Sequence, residues 1–406
     1  MRVEIKPSHL SGSIVAPPSK SMAHRMLICA GLAMGKSTVR GISSSEDMLA
    51  TLDLLEGLGV AYIYIKEGSL VELTGTQVLA AAPGRALNCR ECGSTLRFLI
   101  PICLLSSSEI TLCGSPRLFE RPLGIYEELC RDRGLKFERR ENSVTLRGPL
   151  MGGEFKIAGN VSSQFISGLL FALPLCREDS ILRITPPLES KPYIEMTLEA
   201  MASFGVCAEW MDAYTLRIPG GQTYMARDLT VEGDYSNAAF FEVLSYLGHD
   251  VRVEGLREDS LQGDAVYRQY FEELMAGTPT QSVGQCPDLG PVLLALAAAK
   301  NGCHLTDTER LSIKESDRSQ AMAQELKKLG VVLDVQKNDI YVPSVGIQSP
   351  KEPIFGHGDH RIVMAMATLL TLVGGVIEGA EAVRKSLPEF FEMLIALGAE
   401  VRIDEA

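Results

Sequence analysis

Four cations stand where an isolated helix disfavours them. Lys20 and Arg25 open the apolar segment SKSMAHRMLICAGLA, Arg97 sits in the first turn of GSTLRFLIPICLL, and Arg361 begins GDHRIVMAMATLL. A helix N-terminus carries about half a positive charge and unpaired N–H groups, so a cation there is unfavourable unless an anion joins it. The neighbouring residues suit an anion. Ser19 and Ser21 flank Lys20, with Arg25 one turn on along the face of Ser21; Ser94 and Thr95 precede Arg97. Ser162, Ser163 and Gln164 form a hydroxyl and amide cluster fit for phosphate or polyol oxygens, while Asp288 and the pair Asp359 and His360 mark two further starts. Capping, at about 1 kcal/mol each, accounts for the Ser and Asp residues. It does not account for the cations. Three more clusters follow the same theme: Arg121 in ERPLG, Ser190 and Tyr193 in ESKPY, and Lys314, Glu315, Asp317 and Arg318 in IKESDR, with Lys385 in RKSLP. Taken alone, IKESDR reads equally as a solvated face with intrahelical ion pairs.

Three other motifs suggest chemistry and carry less. GLAMGKST, residues 31–38, ends like a nucleotide phosphate loop, but Ala30 occupies the first-glycine position and a helix rather than a strand precedes it. Gly35 is expected to cap that helix's C-terminus, the end that repels phosphate. Cys89 and Cys92 form a single C-x-x-C without a second pair at zinc spacing, and His357 and His360 lack a nearby Glu or Cys. No metal is expected.

The elements that must position these groups repeat. Six apolar segments start at Ser19, Gly93, Ser162, Tyr235, Pro287 and Gly358, about 70 residues apart with one shorter step of about 50. They are too long for strands and apolar nearly all round, which predicts buried helices. Each except the fourth leads into a second, amphipathic helix, a glycine and two short strands around a turn such as KEGS, RENS or QKND. Six such units exceed one core, so two domains of three are expected. If the buried helices of a domain run parallel, their N-termini gather into an anion trap. Composition agrees with a folded chain: 46% hydrophobic, 22% charged, no run of about 20 apolar residues and no apolar segment in MRVEIKPSHLSG. A net charge of -12 excludes a general nucleic-acid binder. Ten cysteines scattered in apolar runs read as reduced thiols. A soluble cytoplasmic protein, bound to neither membrane nor nucleic acid, is expected.

The motifs PPSKSMAHR, GSTLRF, GSPRLFERPLG, VSSQF, ESKPY, VEGDYS, PDLGP, IKESDR, GDHRIVMA and RKSLPEFF occur in one order, and over nearly its whole length the chain resembles the 5-enolpyruvylshikimate-3-phosphate (EPSP) synthase family. The resemblance implies an α/β fold of two domains, each of three βαβαββ units with parallel buried helices. It places residues 19–231 in one domain, residues 1–18 and 232–406 in the other, and hinge crossings near 18–19 and 231–232. It implies transfer of the enolpyruvyl group of phosphoenolpyruvate to the 5-hydroxyl of shikimate 3-phosphate with release of phosphate, a step of chorismate and aromatic amino acid biosynthesis. A monomer without cofactor is expected.

Carried over by motif, shikimate 3-phosphate meets Lys20, Ser21, Arg25, Ser162, Ser163, Gln164, Ser190, Asp288 and Lys314. Phosphoenolpyruvate meets Lys20, Gly93, Arg121, Gln164, Arg318, Arg361 and Lys385. Addition followed by elimination through a tetrahedral ketal needs a base for the hydroxyl and an acid for the methylene. The resemblance assigns Asp288 to the hydroxyl with Lys20 assisting, Glu315 to the methylene, and closure around shikimate 3-phosphate to completion of the site. Two positions depart from the pattern. Glu91 stands where many members have Asn in N-x-G-T, adding negative charge near the phosphoenolpyruvate pocket. Arg310 stands four residues before Lys314, where some have Asn. Alternatives stay open: UDP-N-acetylglucosamine enolpyruvyl transferase, whose loop cysteine is here replaced by Arg in GSPRLFERPLG although Cys113 lies just before; RNA 3′-phosphate cyclase; a nucleotide triphosphatase; and a non-catalytic anion-binding relative, against which Asp288 and Glu315 argue.

Overall fold

The computed structural model describes residues 1–76, 81–82 and 84–405. The chain folds as two compact units, a continuous one, Lys20–Glu232, and a split one, Met1–Ser19 with Gly233–Ala406. The continuous unit contains α1 (Lys20–Leu32), α2 (Glu46–Gly57), α3 (Gly93–Cys103), α4 (Pro116–Glu120), α5 (Gly124–Asp132), α6 (Ser163–Ala172) and α7 (Lys191–Ser203). The split unit contains α8 (Tyr235–Leu247), α9 (Tyr267–Ala276), α10 (Gly290–Ala299), α11 (Arg318–Lys328), α12 (His360–Val373) and α13 (Phe390–Ala396).

One repeat shows the plan of the others. Strand Ala86–Asn88 crosses through α3 to a parallel partner, Ile110–Cys113, since parallel strands cannot be joined by a tight turn. The hairpin of Lys136–Arg140 and Ser143–Arg147 then pairs antiparallel with Ile110–Cys113, Leu112 opposite Val144 and Ile110 opposite Leu146. Val144 and Leu146 are fully buried while their neighbours are not, the period-two pattern of a sheet wet on one face. Among the described residues five sheets have four strands on this plan, and a sixth is the parallel pair Ser11–Val15 and Asp250–Glu254. In the continuous unit the first repeat takes its parallel strand from far along the chain, Asp228–Thr230 beside Gly35–Arg40. In the split unit Arg2–Lys6 lies between Gly375–Glu378 and Glu400–Asp404.

The six apolar segments are helices, and burial explains their composition. In α10 every residue from Gly290 to Ala298 is buried. The outer helices bury one stripe instead; α5 buries Tyr126 and Cys130 alone. Each unit has its own apolar core. Among the described residues no helix is long and apolar enough to cross a membrane.

Two sequence expectations change. The fourth repeat does have an outer helix, α9, which buries Tyr267, Phe271 and Leu274. The stretch between Glu254 and the short 3-10 turn Gly263–Val266 delays it and hides the period. Gly35 does not cap α1. It opens the strand Gly35–Arg40 with φ +107, after Ala33 and Met34 have already left the helix. The last carbonyls of α1 are met by Ala33 N on Ala30 O (3.3 Å) and Thr76 N on Gly31 O (2.9 Å). Gly75 makes that approach possible, because a Cβ there would press on the carbonyl oxygens of Ala30, Gly31 and Ala33. Lys36 points away from the helix to Glu72, Nζ to Oε2 2.7 Å.

Candidate functional site

In the continuous unit, side chains stitch the starts of the helices together. His24 Nδ1 of α1 meets Thr51 Oγ1 of α2 (2.8 Å), and Thr51 Oγ1 meets Thr95 Oγ1 of α3 (2.7 Å). Gln164 joins α6 to α3: its Oε1 accepts from Arg97 Nη1 (2.7 Å) and its Nε2 donates to Ser94 Oγ (2.9 Å). Ser162 caps α6 by accepting from Gln164 N at 3.3 Å, and Ser163 is buried beside it. Lys20 Nζ lies 3.0 Å from Asp47 Oδ2 in the first turn of α2.

Arg25 is buried and fixed to α7. Its Nε donates to Thr197 Oγ1 (2.9 Å), Nη2 to Tyr193 O (2.8 Å) and Nη1 to Ser21 O (2.6 Å), and the guanidinium lies 5.2 Å from the Phe98 ring centroid. Three of its five donors are thus used among the described residues. Burial brings its pKa down to about 10, so it stays charged at neutral pH. Ser190, at the start of α7, is buried in a left-handed conformation, φ 55°. Gly93 and Arg121 explain each other. A Cβ on Gly93 would come 2.7 Å from Arg121 Nη1 and 2.9 Å from Cζ, so only glycine leaves room for the guanidinium against the start of α3.

The split unit concentrates charge more tightly. Arg361 ties three helix starts together: Nη1 donates to Ser236 Oγ of α8 (2.6 Å) and to Asp288 O (3.2 Å), and Nη2 reaches Asp288 Oδ2 (3.1 Å), just ahead of α10. Arg318, 1% exposed at its side chain, holds three carboxylates: Asp288 through Nη1 (2.8 Å), Glu315 through Nη2 (2.7 Å) and Asp359 through Nε (2.8 Å). Lys314 Nζ is 3.4 Å from Asp288 Oδ1, and Lys385 Nζ donates to Gly358 O at 2.5 Å. Arg310 is buried and donates to Gly284 O at 3.2 Å.

Titration follows from this crowding. Burial alone pushes the Asp288 carboxyl up, but Arg361, Lys314 and Arg318 together outweigh it and hold the group well below the usual carboxylate range. Burial brings Lys314 down to about 8 against the pull of Asp288. Burial disfavours the charge on Arg318, yet Asp359, Glu315 and Asp288 keep it more firmly protonated than a free arginine. Each unit therefore presents fixed cations beside backbone N–H groups, an arrangement suited to phosphate or carboxylate.

Sequence reasoning passed over three residues that organise these clusters, Asp47, Thr197 and Ser236, and saw Asp359 only as a helix start. Asp359 does cap its helix, its Oδ1 accepting from Arg361 N at 2.9 Å, and Asp47 lies in the first turn of α2. Asp47 Oδ2 serves Lys20 and Asp359 Oδ2 serves Arg318, pairings that need tertiary structure to be seen. The two motif histidines diverge: His360 is buried, and His357 Nε2 bonds Glu325 Oε1 at 2.7 Å. Arg117, rather than a cysteine, follows Pro116 in the short helix capped by Ser115, and burial pushes the Cys113 thiol up, away from thiolate chemistry.

Repeated α/β units whose buried helices start in clustered cations place this chain in the enolpyruvyl transferase class of folds. An EPSP synthase from Acinetobacter baumannii has the same fold at a TM-score of 0.78 and 24% identity, covering 99% of this chain and 100% of that one. The enolpyruvyl transferase NikO from Streptomyces tendae matches at a TM-score of 0.79 and 15% identity, over 99% and 98%. The chain belongs to the EPSP synthase (3-phosphoshikimate 1-carboxyvinyltransferase) family, which it matches over residues 5–394. It is 38% identical over 420 residues to a 3-phosphoshikimate 1-carboxyvinyltransferase of Clostridium kluyveri, covering 98% of each. It is 37% identical over 433 residues to one of Clostridioides difficile, covering 99% of this chain and 98% of that protein.

Proposed function

We propose that this chain transfers the carboxyvinyl group of phosphoenolpyruvate to the 5-hydroxyl of shikimate 3-phosphate, releasing phosphate, in aromatic amino acid biosynthesis. The observation that carries the mechanism is the Arg318 guanidinium, which holds Asp288 and Glu315 at 2.8 and 2.7 Å. One rigid cation thereby sets the separation of the two carboxylates the chemistry needs. Asp288, ionised, accepts the proton of the 5-hydroxyl as its oxygen attacks C2 of phosphoenolpyruvate, with Lys20 assisting. Glu315 delivers a proton to the methylene carbon, giving the tetrahedral ketal. In the elimination Glu315 takes a methyl proton back and phosphate leaves with the C–O bond electrons. Fixed cations stabilise charge on the phosphate and carboxylate through both steps without reorganising.

Shikimate 3-phosphate draws on Lys20, Ser21, Arg25, Ser162, Ser163, Gln164, Ser190, Asp288 and Lys314. Phosphoenolpyruvate draws on Lys20, Gly93, Arg121, Gln164, Arg318, Arg361 and Lys385. In this reading the chain is a cytoplasmic monomer and neither step calls on a cofactor. Purified protein is expected to release phosphate from phosphoenolpyruvate when shikimate 3-phosphate is present and not when UDP-N-acetylglucosamine replaces it; the reverse would overturn the assignment. Glu315→Gln is expected to stop solvent-deuterium exchange into the methylene with the shikimate 3-phosphate Kd unchanged, and wild-type exchange would remove Glu315 from its role.

A further inference from the structure

His24, Asp47 and Cys92 have no part in the chemistry above, yet their ligand atoms lie within 4.8 Å of one another, the group among the described residues with metal-binding geometry. All three belong to the continuous unit: His24 on α1, Asp47 in the first turn of α2, Cys92 as the cap of α3. The contacts around Thr51 fix the orientation of the histidine ring. Thr51 Oγ1 lies 2.8 Å from His24 Nδ1, 2.7 Å from Thr95 Oγ1 and 3.3 Å from Asp47 O, a fixed hydroxyl able to accept from the ring. In the tautomer with the proton on Nδ1, given to Thr51 Oγ1, Nε2 turns a lone pair toward Cys92 Sγ, 3.8 Å away. A metal-bound histidine has the same outer bond, its second ring N–H given to a fixed acceptor. Zinc–nitrogen and zinc–sulfur bonds of about 2.05 and 2.3 Å at a tetrahedral angle separate N and S by about 3.6 Å. The observed separation is close to that value.

Protonation is compatible and sets a condition. Burial, reinforced by Lys20 and Arg25, pushes His24 well below the ordinary histidine range, so the ring is neutral at pH 7. Burial pushes the Cys92 thiol up to about 12, so an entering ion must displace its proton to solvent. Entry is from the side of Asp47, the least buried of the three.

We propose that His24 Nε2, Cys92 Sγ and a carboxylate oxygen of Asp47 form a three-ligand site for a zinc-class divalent ion, with water as fourth ligand, and that occupancy inhibits the enzyme. Inhibition follows because Asp47 is the partner of Lys20 at 3.0 Å. The ion takes that carboxylate and, once the thiol proton has left, adds a net single positive charge beside the ammonium, displacing Lys20 from its position; this half of the inference rests on the role of Lys20 given above. One thiol proton is released per ion bound.

The test is titration of the full chain with cadmium, read by thiolate-to-cadmium absorption in the ultraviolet. A Cys207→Ser background is used, because Cys207 is the exposed thiol. One equivalent should bind with release of one proton, and Cys92→Ser and His24→Asn should each abolish the band or weaken Kd more than tenfold. Cys92→Ser keeps an oxygen to accept from Thr95 N, and an unchanged melting curve verifies the fold. Zinc should inhibit the Cys207→Ser protein reversibly with chelator and leave Cys92→Ser active. A band unaffected by Cys92→Ser and His24→Asn, or the absence of any band, overturns the site. A band that both variants abolish, without inhibition, overturns the inhibitory half and leaves the role of Lys20 to be tested by the phosphate-release assay.

Discussion

Lys314 is the group on which pH should act first. Burial brings its pKa down to about 8, with Arg318 and Arg310 acting in the same direction and Asp288 in the opposite one. It is therefore about nine-tenths charged at pH 7 and about one-tenth at pH 9. If the ammonium grips shikimate 3-phosphate, the Kd rises about tenfold between those two values, since the substrate's phosphate is already fully ionised above its second pKa of about 6. The loss levels off at roughly 10- to 150-fold, the worth of one charged hydrogen bond of about 1.5–3 kcal/mol. Isothermal titration across pH 7 to 9.5, in buffers of different ionisation enthalpy, reads both the Kd and the protons exchanged. About half a proton should be taken up per ligand at pH 8. Lys314→Arg keeps the charge without the titration, so its Kd should stay level over the same range. A wild-type Kd that is flat from pH 7 to 9, or a break that survives in Lys314→Arg, refutes the argument.

Three further outcomes are expected. Thr197→Val removes the hydroxyl that accepts from Arg25 Nε and contacts Ser167 Oγ at 2.7 Å, costing about 1–3 kcal/mol; calorimetric melting should show it, shikimate 3-phosphate should bind up to about tenfold more weakly, and Thr197→Ser should restore both. Gly168→Ala places a methyl group against Tyr126 Oη and 2.5 Å from Arg97 O, where α6 packs on α3, and should destabilise by about 1–3 kcal/mol in urea denaturation. Asp359→Asn leaves the buried Arg318 short of one charge partner and should cost about 3–5 kcal/mol at pH 7. Burial raises the Asp359 pKa but Arg318 more than reverses this, so the folded value lies below the ordinary 3.8. The stabilisation by its charge is then present above about pH 3.8 and lost as pH falls through the lower folded value, and the gap between Asp359→Asn and wild type should narrow there.

What could be read from the sequence was the part written in local pattern. Helices apolar on every side are legible because full burial leaves no polar face to disguise them, as in α10. Cations at helix starts are legible because they oppose the dipole. Tertiary pairings are not: nothing near Asp47 points to Lys20, twenty-seven positions away, and nothing near Ser236 points to Arg361. Helix α9 was hidden by the irregular stretch ahead of it. Gly35 misled because a glycine after a helix has two uses. Here the conformation φ +107 serves a strand, and the carbonyls of α1 are satisfied by a different part of the chain.

The strand Arg2–Lys6 has a consequence for how the chain acquires its shape. Arg2 faces Asp404 on one side and Glu378 on the other, so this sheet cannot close until the last of those residues has left the ribosome. The continuous unit has no such wait, because its most distant strand pairing joins Thr38 to Asp228. Synthesis from the N-terminus thus favours an order in which residues 20–232 fold first while the opening strands stay unpaired. Closing so long a loop adds little to the entropic cost, which grows only with the logarithm of length, but it is slow. The split unit is therefore the late and rate-setting one, and an exposed early strand awaiting a distant partner is where a chaperone would find its substrate.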